Sequence, residues 1–227
     1  MDFFTEGFLF FQKGGMVMYV LLFCSILVFA IGCERYLFFR AEDAGRIFSA
    51  RFAAFMSEGK EKDAMELAAQ SAGCLPQILV QAVRKAGRNE HTAAHYMETQ
   101  AGIVFAKLRA RLYYLSVIVT MAPLLGLLGT ISGMVSSFSV FGSDSGQIGA
   151  ITGGVGEALI ATGMGLLVAI FALTVHAYFS QRLENIITDM ELCFSIIEER
   201  IADSEELARL TAVSEKIVMQ HLKEVSA

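Results

Sequence analysis

The chain has 227 residues, of which 55% are hydrophobic and only 18% charged, with no tryptophan and a mean hydropathy of +0.54. A soluble domain of this length seldom carries so little charge, so composition points to a membrane protein. A net charge of −5, with no basic stripe interleaved with aromatics, excludes a nucleic-acid binder.

Gly14 to Cys33 carries no charge and is long enough to cross a hydrocarbon core of ~30 Å at 1.5 Å per residue. A cleaved signal peptide would need a basic start, whereas Asp2 and Glu6 precede this run and Glu34-Arg35-Tyr36 closes it. A first membrane helix is therefore expected over residues 16–39, with 1–15 on the outer side. Leu112 to Ser143 is again free of charge, and Ser145 to Gln181 holds a single charged residue, Glu157. The polar segment Gly142-Ser143-Asp144-Ser145-Gly146-Gln147 separates them. Backbone in lipid must satisfy its own hydrogen bonds, so this pattern predicts a helical hairpin. Its spans are placed at 112–141 and 150–179, with an outer-side turn at 142–149.

Arg35, Arg40, Arg46 and Arg51 follow the first span, and Lys107, Arg109 and Arg111 precede the second. The hairpin turn has neither Lys nor Arg, and only Lys13 precedes the first span. The positive-inside rule then predicts an N-out, C-in chain with residues 40–111 and 180–227 in the cytoplasm. Residues 40–111 alternate apolar and charged positions at helical spacing. Ile47, Phe48, Arg51, Phe52 and Phe55 form one stretch and Met65, Leu67 and Ala68 begin another. Gly73 and Pro76 punctuate, and Ile78 to Val83 begins a third stretch that Gly87 ends. From about Asn89 a helix is expected to run without a breaker into span two. Span three continues as a stripe of Leu183, Ile186, Ile187, Met190, Phe194, Ile197 and Ile201, which suits either intrachain packing or an oligomer seam. The expected fold is an all-α membrane protein of three transmembrane helices, with long helical cytoplasmic extensions of spans two and three.

Glu157 is the residue that carries most functional information. It lies about seven residues inside span three, ~10 Å along the helix from the turn. A carboxylate at that depth costs several kcal/mol unless it faces a cavity, finds a partner or takes up a proton. Gly149, Gly153, Glu157, Ala161, Gly165 and Ala169 recur at every fourth position, which puts this acid on a ridge of small side chains. Span two offers Gly126, Gly129 and Gly133, with Thr130 among them. Folding the hairpin near residue 145 pairs positions whose numbers total roughly 290, so Thr130 and Thr162 fall at similar depth and Glu157 about a turn further out. Either threonine can relay a proton or stabilise an ion, or simply bond its own helix backbone. Glu157 and Thr162 are about 140° apart around an ideal helix, so a lining that includes both requires tilt or distortion. Pro123 removes a backbone donor in span two and is expected to kink it.

Other chemistries lack their constellations. Gly153-Gly154-Val155-Gly156 has neither the GK[ST] ending nor the preceding strand of a phosphate loop. His91 and His95, flanked by Glu90 and Glu98, suit an exposed helix face, and no metal site or cofactor is expected. His176 is placed near the inner end of span three, at the opposite end from Ser132, Ser136 and Ser137, so no serine-protease arrangement forms. Cys24, Cys33, Cys74 and Cys193 have no CxxC spacing and read as small apolar fillers. No catalytic residues are assigned.

Two long motifs, in order, resemble the MotA/TolQ/ExbB proton-channel family. Ala122-Pro123-Leu124-Leu125-Gly126-Leu127-Leu128-Gly129-Thr130-Ile131-Ser132-Gly133-Met134 is similar to its span-two signature. Gly156-Glu157-Ala158-Leu159-Ile160-Ala161-Thr162, followed by Gly165-Leu166, is similar to its span-three signature. Gly14-Gly15-Met16-Val17-Met18-Tyr19 and Glu34-Arg35 resemble the first span of the ExbB branch, with TolQ next. The resemblance implies a pentamer in the bacterial inner membrane, its second and third spans lining a central pore. That pore would hold a small single-span partner of the ExbD/TolR type, which supplies an essential aspartate. Proton flow would drive work passed to a TonB- or TolA-like protein, either for outer-membrane transport or, in a TolQ-like role, for envelope maintenance. Glu157, Thr130 and Thr162 would be the polar residues of the ion pathway. Pro123, Gly126, Gly129, Gly133, Gly153, Ala161 and Gly165 would shape the pore and pack its helices. The expected ion is H+, with Na+ as a variant, and a non-conducting oligomeric scaffold is the rival of a different class. Phe171 stands where the family usually has a proline, so span three is expected to be straighter here.

Overall fold

The computed structural model describes residues 15–86, 90–141 and 148–202. The outer-side segment expected before Gly15, most of the hairpin turn, the chain beyond Ala202 and the side chain of His91 lie outside them. The described residues form helices and no strands: α1 (Gly15–Glu42), α2 (Arg46–Ser57), α3 (Glu61–Gln70), α4 (Cys74–Ala86), α5 (Glu90–Arg109), α6 (Leu112–Phe141) and α7 (Ile148–Ala202). They divide into two compact units, the first ending at Glu34 and resuming over Arg111–Phe179, the second formed by Arg35–Ala110 and the chain from Ser180.

The first unit holds the apolar parts of α1, α6 and α7. Three helices are long and apolar enough to cross a membrane by length and composition. In their most apolar stretches only 17%, 28% and 33% of residues are buried within the chain. Helices apolar on every side but covered on one require hydrocarbon or other protein around the rest. α6 displays the split clearly: Leu124, Leu127, Leu128, Ile131, Val135 and Phe138 are exposed, while Leu115, Ala122, Gly126, Gly129, Gly133 and Ser137 turn inward. α6 remains helical through Pro123, and α7 continues unbroken through Phe171. α1 lies alongside the pair. A Cβ added to Gly129 would come within 3.6 Å of Val17, and one added to Gly32 within 3.4 Å of Val175. Similar numbers of residues separate Gly15 from Gly32 and Glu157 from Val175, so α1 and α7 run side by side in the same direction.

The second unit has a core of large side chains. Phe39, Phe52, Met56, Met65, Leu79, Met97, Leu108, Met190 and Ile197 are fully or almost fully buried. α2 packs on α3, α3 on α4 and α4 on α5. Leu183, Ile186, Met190, Ile197 and Ile201, joined by Cys193, bury the α7 stripe inside this unit, while Ile187 and Phe194 are half-buried. Most of that stripe is thus intrachain core. Polar bonds fix the register of α2 and the connection before it against α7: Arg182 pairs with Asp43 at 3.0 Å, Ser49 Oγ donates to Asp189 at 2.9 Å, and Arg200 donates to the Met56 carbonyl at 2.9 Å. α2 closes with Gly59 at φ 72°. There the Gly59 N–H reaches the Met56 carbonyl and the Lys60 N–H the Phe55 carbonyl, a left-handed cap that a Cβ would strain.

Two expectations need correction here. Pro76 does not punctuate; it lies in the first turn of α4, where N–H groups have no intrahelical acceptor and a missing donor costs nothing. The helix leading into span two is interrupted by a turn at Ala110-Arg111. The cause is Arg35, 3% exposed, which donates to the carbonyls of Lys107 at 3.1 Å and Leu108 at 3.4 Å. Those carbonyls would otherwise accept from the next helical turn, so a buried guanidinium caps α5 and ends it. Its face also stacks over Phe38, 4.5 Å from the ring centre.

Candidate functional site

The site is built on the seam between α6 and α7, where the absence of side chains lets two backbones meet. A Cβ on Gly126 would lie 3.1 Å from both the Ala161 carbonyl oxygen and Thr162 Cα. At Gly129 it would lie 2.6 Å from Ala161 Cβ, and at Gly133 3.1 Å from Ala158 Cβ. Across the seam, a Cβ on Gly165 would stand 2.6 Å from the Ala122 carbonyl oxygen and 2.9 Å from Gly126 Cα. Gly154 meets Ser137 as closely. These partners have numbers totalling roughly 290, the register that a turn near residue 145 dictates. Side chains this small allow dispersion contact between helix backbones, the main attraction available to helices in lipid.

The inward residues of α7 are Gly154, Ala158, Ala161 and Gly165, at alternating spacings of four and three. A strict four-residue row advances about 40° per step and leaves the seam within a few steps. A Cβ on Gly153 would accordingly meet nothing within 4 Å, although this glycine belongs to the every-fourth ridge. Pro123 is half-buried inside α6, next to the Ala122 carbonyl that Gly165 approaches.

The polar residues divide by what they bond. Thr162 Oγ1 donates across the hairpin to the Gly126 carbonyl at 3.1 Å, clipping the two helices together. Thr130 Oγ1 donates to its own helix at Leu127, 2.6 Å away, the local bonding common for a helical threonine. Ser137 likewise bonds the Gly133 carbonyl at 2.8 Å. Glu157 is half-buried, and its Oε1 lies 3.0 Å from where a Cβ on Gly15 would stand. Its carboxyl has no hydrogen-bond or ion-pair partner among the described residues. Within one chain, then, Thr130, Thr162 and Glu157 meet three different neighbours, Leu127, Gly126 and Gly15, among the described residues.

Two residues escaped the sequence reading as site elements. Gly15 entered only through a motif, although a glycine opening an apolar run is a helix-start signal. Arg35 enters the sequence reading through topology, and its place beside Glu34 at the end of a charge-free run gives no sign of a buried role. His95 and Glu98 are exposed on α5, and no group of three potential metal ligands occurs among the described residues.

Comparison with known proteins places this geometry. A family model for the MotA/TolQ/ExbB proton channel family matches residues 50–192. A putative biopolymer transport protein ExbB-like 1 of Synechocystis sp. is 34% identical over 172 residues, covering 73% of this chain and 67% of that protein. A putative biopolymer transport protein ExbB homolog of Methanothermobacter thermautotrophicus is 26% identical over 186 residues, covering 80% of this chain and 66% of that protein. The Tol-Pal system protein TolQ of Pseudomonas aeruginosa is 37% identical over 82 residues, covering 36% of each chain. The matches thus span at most about two thirds of these relatives' own length.

Proposed function

This chain belongs to the MotA/TolQ/ExbB proton channel family, and from that premise we propose that it is the pore-forming subunit of an inner-membrane complex driven by the proton-motive force. The observation that carries the reading is Glu157, the one charged residue in the stretch from Ser145 to Gln181. It is half-buried on α7, one arm of a hairpin whose outward faces are apolar. An acid within a membrane-capable apolar helix is a candidate element of an ion pathway. The transmembrane potential supplies about 2.3 kcal/mol per elementary charge per 100 mV, enough to bias a two-state rearrangement.

In this reading several copies, five by family resemblance, form a ring in which α6 and α7 line the pore. The Gly/Ala seam keeps each hairpin rigid, and Thr130 and Thr162 become pore lining where neighbouring copies complete the wall. A single-span ExbD/TolR-like protein occupies the pore and passes work to a TonB- or TolA-like partner. The charge pattern favours an N-out, three-span orientation. ExbB-named relatives support an ExbB-like role in outer-membrane transport. The TolQ match supports the second reading, envelope maintenance, and the identity of the partner separates the two.

Native mass spectrometry of the complex from its own membranes, with proton flux measured in vesicles containing it, tests the proposal. We expect a ring of this chain holding a small single-span protein with an intramembrane aspartate. Glu157→Gln should leave that assembly intact and abolish proton-driven flux. A ring that purifies alone from membranes containing such a partner, with flux indifferent to Glu157→Gln, would instead establish a scaffold.

A further inference from the structure

Proton transfer is sensitive to where a carboxyl sits, since a displacement of about 1 Å can cost on the order of a hundredfold in rate. The neighbour of Glu157 in this respect is the start of α1. Gly15 has φ 66°, in the left-handed region, so the chain turns there and the first helical turn of α1 begins directly beyond it. The Glu157 Oε1 atom lies 3.0 Å from the place where any side chain at position 15 would begin. The first N–H groups of a helix lack intrahelical acceptors and carry the positive end of its dipole, which favours a carboxylate nearby.

We infer that Gly15 is the positioning residue for Glu157: its missing side chain and left-handed backbone let the beginning of α1 close on the carboxyl and set where it points. This rests on the relay role proposed for Glu157. Two other glycines separate backbone strain from contact. Gly45 and Gly59 also have positive φ, 81° and 72°, yet a Cβ on either would meet nothing within 4 Å. Substituting alanine at those positions imposes a positive-φ penalty, larger at Gly45, whose ψ of 151° lies in a region only glycine readily adopts, without touching an acid. Substituting alanine at Gly15 imposes the penalty and also moves the carboxyl by a few tenths of an ångström, because a Cβ 3.0 Å from an oxygen is tighter than ordinary contact.

The test uses the full chain in its purified complex and compares Gly15→Ala, Gly45→Ala and Glu157→Gln. Proton flux into vesicles is one readout. The other is the carboxyl C=O stretch in the infrared difference spectrum, identified as the band lost in Glu157→Gln. Gly15→Ala should shift that band and lower flux roughly fourfold or more at unchanged assembly, while Gly45→Ala should do neither. An unmoved band with flux within about twofold of wild type in Gly15→Ala would overturn the inference. Should Gly15→Ala fail to assemble, Gly15→Asn replaces it with the same expected and overturning results, since asparagine tolerates left-handed backbone yet still carries a Cβ. Flux unaffected by Glu157→Gln would defeat the relay reading instead, and the band shift would then decide by itself whether Gly15 positions the carboxyl.

Discussion

The α6–α7 seam of the first unit and the core of the second bury opposite kinds of residue, although the first unit also buries Met18, Leu21 and Leu115 away from that seam. In the first, the α6–α7 seam is made of Gly126, Gly129, Gly133, Ala158, Ala161 and Gly165, while leucines and phenylalanines point away. In the second, Phe39, Phe52, Met56, Leu79 and Met97 point inward. The difference follows from the solvent each arrangement suits. In water, burial of a large apolar side chain contributes about 1.5–3 kcal/mol, so large residues go inside. Between helices in hydrocarbon that term vanishes, because lipid is as apolar as leucine. What remains is close packing and hydrogen bonding, so the smallest residues go inside. The Thr162–Gly126 bond belongs to the same logic: it is available only because no side chain at Gly126 stands in the way.

The sharpest way to break this contrast is to put a large residue into the small-residue seam. Gly165→Leu would drive its Cβ against the Ala122 carbonyl and Gly126 Cα, both backbone, which cannot swing aside. Overpacking typically costs 1–3 kcal/mol, and more than about 3 kcal/mol is expected where backbone must part. The hairpin should open, with loss of folded protein in detergent and a lower thermal midpoint by circular dichroism. Gly163→Leu, two residues away and exposed with nothing within 4 Å, should leave that midpoint unchanged. Equal damage from both would mean that the seam is not where stability resides.

The same contrast explains what could be read from the residues alone. Charge-free runs marked the three membrane-capable helices, since a length requirement needs no partner to be recognised. The position of the turn determined the hairpin register, because an antiparallel pair has one degree of freedom once its turn is placed. The 183–201 stripe showed its buried face through periodicity. Contacts between segments far apart in the chain were out of reach. Arg35 lies 72 residues from the Lys107 carbonyl it caps, and local pattern gave no sign of a break at Ala110-Arg111. The meeting of Gly15 with Glu157 depends on how α1 lies along α7, which an apolar run of nearly uniform composition does not encode. Spacing likewise gathered Gly153 with Gly165, although helical drift separates them.

Arg35 gives a second, smaller lever, acting on the unit with the large core. Arg35→Met keeps the length and apolar stem but leaves the Lys107 and Leu108 carbonyls without their buried donor. Losing one partner of a buried hydrogen bond to a charged group costs about 1.5–3 kcal/mol. Part of that should be recovered as the freed carbonyls recapture helical N–H groups across Ala110-Arg111. The expected result is a modest fall in thermal midpoint together with slower amide hydrogen exchange at Arg111 and Leu112, the helical partners of those two carbonyls, whereas the Ala110 N–H already bonds the Ala106 carbonyl at 3.0 Å. Unchanged exchange there would mean that the turn is imposed by something other than the guanidinium.

The smallest effect concerns Cys74, at the start of α4 in the second unit. A helix N-terminus usually favours a thiolate, but here burial dominates, with help from the nearby Glu42 carboxylate, and pushes the thiol from 9.0 up to about 11. Its Sγ also approaches the Glu42 carbonyl at 3.3 Å, an arrangement that needs the proton in place. Below pH 9 the thiol is neutral in folded and unfolded chains alike, so its contribution to stability is fully present. As pH rises from 9.0 to about 11 the unfolded chain ionises first, and that contribution is lost. The thermal midpoint should therefore fall more steeply over this interval in the wild type than in Cys74→Ala. Alkylation of Cys74 in the folded chain should be slow at pH 8 and quicken about tenfold per pH unit toward 11. Rapid alkylation at pH 8 would show that the α4 start opens to solvent, and that the large-residue core is less closed at this edge than the glycine seam is along its length.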